Sequence, residues 1–144
     1  KEHKEDCKIL LSARESMRDD SVALPEKGGD RIFAIQNRGA RYMQLGNVAA
    51  AEREFRLLLD EGFTTTSTYV NLASTLIYQG RVSEALPYAK LSILQPAYTK
   101  EDRAHLRHAY HSLGQVHLML KDKPAAVKVL QKALELYPDD AEFQ

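Results

Sequence analysis

Four histidines gather in one stretch, His105, His108, His111 and His117, and imidazole is the side chain best suited to ligate a metal ion or move a proton near neutral pH. Their spacing argues against both roles. Each three-residue step drifts by about 60° around an α-helix, so adjacent pairs converge while His105, His108 and His111 cannot all meet one ion. Cys7, the single cysteine, is remote in sequence. There is no glycine-rich phosphate loop, no nucleophile with a matched base and no paired-cysteine metal spacing. The expectation is a protein that is not an enzyme and uses no metal or other cofactor.

Asn37 and Asn71, 34 residues apart, offer non-covalent chemistry instead. A carboxamide both donates and accepts, as a sequence-tolerant hold on a peptide backbone requires. Each such bond contributes only about 0.5–1.5 kcal/mol net, so binding needs several contacts together.

Composition narrows the partners. Lysine plus arginine equals aspartate plus glutamate at 20 each, so no bulk attraction to nucleic acid or an anionic membrane is expected. No apolar run approaches the roughly 20 residues needed to span a bilayer, and Lys1 to Lys8 is too polar for a secretory signal. With one cysteine and no intrachain disulfide, these features place the chain in the cytoplasm.

The elements that must position these groups are helical. Lys4 to Met17 carries Cys7, Leu10, Leu11 and Met17 at helical spacing, and Asp19 to Asp30 holds the breakers of a loop. The first region is therefore 1–30, an N-terminal helix and loop. From Arg31 a regular pattern begins: a helix with Ile35, Gly39 and Tyr42 ends at Gly46, then Asn47 caps a helix with Ala51, Phe55 and Leu58. Glu52 to Arg56 is expected to solvate its outer face. Thr64 to Thr68 reads as a capping turn before Tyr69, Leu72, Ala73 and Leu76. Gly80 ends that helix, and Ser83 is the expected cap of the next, which would make Pro87 inexpensive. Thr99 and Asp102 resemble a capping box, so a helix is predicted from near Lys100 to Leu120. Asp122 and Pro124 start a last helix carrying Ala126, Leu130 and Ala133. Residues 139–144 read as the start of a further helix or tail, and the whole as a fragment of a longer protein.

The pattern repeats. Ala51 to Ala85 and Gly46 to Gly80 are each 34 residues, whereas Ala85 to Ala126 is 41, which places seven extra residues in the start of the helix near Lys100. Paired helices at such a period signal an α-solenoid. The residues resemble the tetratricopeptide repeat family. One unit reads Tyr110, Leu113, Gly114, His117, Ala126, Leu130, Ala133, Pro138; another reads Tyr69, Leu72, Ala73, Leu76, Ala85, Ala89, Ser92, with Pro96 one residue early. The first reads Ile35, Arg38, Gly39, Tyr42, Ala51, Phe55, Leu58 and lacks the proline. Arg38 replaces a usual leucine, His117 an aromatic and Lys121 a turn glycine. The fold expected is all-α, a solenoid of three helix-turn-helix repeats (about 32–65, 66–97 and 100–138, within a domain 31–138) preceded by an extra helix.

The resemblance implies that the first helix of each pair lines a concave groove for a peptide or partner helix. Its groove positions would be Phe33, Gln36, Asn37, Met43 and Gln44, then Ser67, Val70, Asn71, Ser74 and Tyr78, then His108, His111, Ser112, Gln115 and Met119. The clamp by which some members hold the acidic tail of heat-shock chaperones is rejected, because Gln36, Ala40, His108 and Ser112 occupy its places and only Asn71 fits. Protonated histidines would make one end of the groove favour an acidic ligand. The function expected is a non-enzymatic interaction scaffold for a protein or peptide partner. The alternative is self-association, or stacking in a longer array, through the solenoid ends.

Overall fold

The computed structural model describes residues 29–140, and among these residues the chain forms six helices and no strand: α1 (Gly29–Gln44), α2 (Val48–Asp60), α3 (Thr66–Tyr78), α4 (Val82–Ser92), α5 (Lys100–Met119) and α6 (Lys123–Leu136). The expected helix over Lys4 to Met17 and the last residues of the tail lie outside the described residues. The helices pair as α1 with α2, α3 with α4 and α5 with α6; α2 packs on α3, α4 on α5, and α3 also meets α5. The result is an all-α solenoid. Among the described residues no helix is long and apolar enough to cross a membrane.

Local chemistry sets most of the boundaries. Asn47, Thr65, Thr99 and Asp122 each accept a hydrogen bond from the amide three residues on, which satisfies one of the free donors of a first turn. Helix ends reuse one device. After α1, α3 and α5 the chain closes with two backbone bonds, for instance Gly80 N to Ile77 O at 2.9 Å and Arg81 N to Leu76 O at 2.8 Å. That geometry needs a left-handed residue, supplied by Gly46 (φ 78°), Gly80 (φ 76°) and, in the third repeat, by Lys121 at φ 60°.

Small residues then let the helices approach. A Cβ on Gly39 would stand 2.7 Å from the Phe55 ring, and one on Gly114 2.9 Å from Leu130. Ala73 occupies the matching place in the middle repeat and is buried. The core runs unbroken from Ile35, Tyr42 and Phe55 through Leu72 and Leu76 to Leu113 and Val116, and a smaller cluster around Tyr110 and Ala133 closes the third repeat.

The seven extra residues are wholly helical. α3 begins three residues before Tyr69 and ends nine after it; α5 begins ten before the matching Tyr110 and also ends nine after it. The insertion is therefore two added turns at the start of α5, about 10 Å of helix.

Three expectations need correction. Ser83 is not the cap of α4: the helix starts at Val82 with Arg81 as N-cap and no side-chain cap bond, so Pro87 sits inside the helix. It is tolerated on an exposed face, at the loss of one amide bond. Nor does Glu52 to Arg56 merely solvate the outer face. Glu52 accepts from Gln79 (2.9 Å), Arg81 (2.7 Å) and Arg56 (2.8 Å), and Arg56 in turn lies 5.5 Å over the Tyr88 ring, which stacks on Tyr69. These contacts join the first repeat to the second. Glu54 is buried and meets Arg38 at 2.7 Å. That pair accounts for the arginine at a leucine position, since the charge entering the α1–α2 interface is met by an opposite one. His117, at an aromatic position, is buried like the residue it replaces.

Candidate functional site

α1, α3 and α5, the first helices of the three pairs, carry all the residues that the sequence singles out for binding, and their exposure sorts them. Phe33 (66% exposed), Tyr78 (73%) and Met119 (55%) are large apolar side chains left open to solvent, one in each repeat. Asn37, Gln44, His108 and Gln115 are exposed as well. Gln36, Met43, Ser67, Asn71, Ser74, His111 and Ser112 are half-buried, and Met43 packs against the core. Val70 is a correction. It is 4% exposed, on a helix packed by α2, α4 and α5, so this β-branched residue belongs to the core and offers no surface to a ligand.

The structure brings Gln36 of α1 and Ser67 and Asn71 of α3 into one cleft of about 560 Å³ that also reaches α5. Asn37 does not line it, so the two asparagines 34 residues apart are not equivalent in their surroundings. The remaining wall comes from residues that sequence reasoning missed: Tyr98, Glu101, Asp102 and His105, at and just before the two added turns of α5. The 41-residue step was the signal that could have found them, because an insertion that extends a first helix must project beside the neighbouring first helix.

Each wall is held from below. Thr65 caps α3, and the Thr66 hydroxyl donates to the Ser92 carbonyl at 3.0 Å, fixing the start of α3 to the end of α4. On the other side the predicted capping box is present: Thr99 Oγ1 accepts from the Asp102 amide (3.0 Å), and Asp102 Oδ2 accepts from the amides of Thr99 (3.0 Å) and Tyr98 (3.1 Å). The Thr99 amide first, and the Tyr98 amide after it, hold the Asp102 carboxyl below the usual range against the opposing effect of desolvation. The cleft lining includes two carboxylates and no lysine or arginine. Among the described residues no three histidine, cysteine, aspartate or glutamate side chains are grouped to hold a metal ion. What the arrangement can do is bind, through exposed apolar side chains along three helices and a polar, acceptor-rich cleft beside them.

Comparison with known proteins agrees with the helical register. The family model of the tetratricopeptide repeat matches residues 64–139. Among curated proteins, DnaJ homolog subfamily C member 7 of Homo sapiens is 30% identical over 141 residues, which is 96% of this chain and 26% of that protein. The chain thus spans about a quarter of the length of that relative.

Proposed function

This chain belongs to the tetratricopeptide repeat family, and we propose that it is a non-enzymatic scaffold that binds a peptide or helix of a partner protein along the face shared by α1, α3 and α5. One observation carries the reading: Phe33, Tyr78 and Met119 stay exposed in three successive repeats although each could bury apolar surface. Large apolar side chains held open on a rigid scaffold gain free energy when a partner covers them. Gln36 and Asn71 in the adjoining cleft add directional bonds that fix register rather than supply most of the affinity. An acidic chaperone tail does not suit this face, since the matching places hold neutral side chains and the cleft adds carboxylates.

Titration of a partner segment into the full chain tests the proposal. Tyr78→Ala and Met119→Ala should each weaken binding about 5- to 30-fold, in line with roughly 1–2 kcal/mol per apolar anchor. Asn71→Ala should weaken it less. Affinity unchanged in Asn37→Ala/Asn71→Ala would remove the carboxamides from the site, and affinity unchanged in the two apolar variants as well would remove the groove.

A second reading is self-association through the last helix, supported by Val127 and Leu136, which are 42% and 51% exposed on α6. Light scattering across a concentration series decides it. A strict monomer that still binds its partner would dismiss it.

A further inference from the structure

The cleft beside α3 exists because of the two added turns of α5, a feature that the first two repeats lack. Its chemistry is one-sided. Glu101 and Asp102 bring two negative charges, Gln36, Asn71 and Gln95 bring side-chain carbonyls, and none of the lining residues is a lysine or arginine. The chain as a whole has a formal net charge of zero, so this is a local imbalance. Tyr98 stands at the same cleft with 83% of its surface exposed, so the ring has no packing role that explains its place. We infer that this cleft receives a lysine or arginine side chain of the bound partner segment, with the carboxylates of Glu101 and Asp102 and the face of Tyr98 as its contacts. The inference rests on the groove reading above and names the chemistry at one end of it.

Two objections can be weighed physically. A helix N-terminus attracts anions, and the cleft includes that of α5. Here the amides of Tyr98 and Thr99 and the positive end of the helix are already answered by Asp102, with Glu101 beside it in the same turn. An incoming anion would meet carboxylates before it met free amides. His105 raises the second objection, because its protonation adds positive charge. A single positive charge beside two carboxylates still leaves the cleft negative, which reverses the acidic preference expected from the histidines alone. A cation in this place is attracted by charge, accepted by the carbonyls and able to lie on an aromatic face. Because the cleft is open to solvent, the attraction is moderate and weakens with salt.

The test uses phage-displayed random dodecapeptides selected on the full 144-residue protein at low salt, followed by titration of the selected peptides. Lysine or arginine should be enriched at one peptide position, and its replacement by glutamate should weaken binding at least about tenfold. On the protein side Glu101→Lys should cost a similar factor, Glu101→Gln and Tyr98→Ala about threefold each, and these losses should shrink in raised salt. Circular dichroism and melting of the variants check that α5 still forms. Peptides that are sensitive to Tyr78→Ala but show no basic position, and that are indifferent to Glu101→Lys, would overturn the cation site and leave the groove standing. Selection of acidic peptides that bind more tightly to Glu101→Lys would overturn it as well. Peptides indifferent to Tyr78→Ala, Met119→Ala and Glu101→Lys together would remove both the groove and this inference.

Discussion

Lys121 is the residue at which the repeat pattern and the backbone conflict most plainly. It holds φ 60° in the turn where Gly46 and Gly80 hold 78° and 76°, and it makes the same pair of backbone bonds, to Leu118 and through Asp122 to His117. A side chain in that region costs about 1–2 kcal/mol, partly offset because glycine gives the unfolded chain more freedom. Lys121→Gly should therefore stabilise the protein by about 0.5–1 kcal/mol, read as a rise in melting temperature, while Gly80→Ala should lower it. Arg38 and Glu54 make a second residue-scale case. Their side chains are 17% and 10% exposed and meet at 2.7 Å, so removing one partner strands a charge in the α1–α2 interface. Glu54→Ala should cost about 2–4 kcal/mol, whereas Arg38→Leu/Glu54→Leu should recover most of that loss, because the desolvation of both charges disappears with them. A double-mutant cycle by urea denaturation measures the coupling. A double variant less stable than Glu54→Ala would show that the pair does more than satisfy itself.

Between elements, the contacts around Glu52 tie the first repeat to the second and give that junction a pH dependence. Burial alone would raise the Glu52 carboxyl, but hydrogen bonds from Gln79, Arg56 and Arg81 outweigh it, so the group titrates below its ordinary 4.5 in the folded protein. The unfolded chain therefore holds more protons in the interval between the two values. The stabilisation is complete above about pH 4.5 and is lost as pH falls through the lower folded value. Glu52→Gln should be about 1 kcal/mol less stable near neutral pH, and the gap should close toward about pH 3. A gap that persists in acid would assign the effect to packing. This junction also marks how far the sequence was legible. Asn47, Thr99 and Asp122 could be named as caps because each bonds an amide three residues away, a local matter. Glu52 lies 29 residues from Arg81, and Glu54 lies 16 from Arg38; both pairs exist only once the helices have packed, so composition reads them as a solvated run. The cleft was hidden for the same reason. Gln36 and Asn71 were visible by register, but Tyr98 and Glu101 become their neighbours only through the direction in which α5 extends.

At the scale of the whole molecule, a solenoid has no single centre, and each pair of helices is stabilised by its own packing and by its neighbours. The middle repeat is covered from both sides by described helices, with α3 touching α2, α4 and α5. Eight of its thirteen residues are buried, against two of fourteen in α6, whose Val127 and Leu136 face solvent. Local opening should therefore be graded along the chain rather than all-or-none. Hydrogen exchange followed by mass spectrometry should find the slowest amides in α3 around Leu72 to Leu76 and markedly faster ones in α6, by about 10- to 100-fold if the difference in opening is roughly 1.5–3 kcal/mol. The gradient bears on how the binding face works. Tyr78 and Asn71 sit on the most protected helix and present a fixed geometry, whereas Met119 and Glu101 sit on α5, which leans on the exchanging end. A bound segment that contacts both should slow exchange in α5 and α6 more than in α3, because the ligand can add protection only where the free protein opens. Equal slowing in all three helices would instead indicate that the solenoid opens as one unit, and that its repeats are coupled more strongly than their burial suggests.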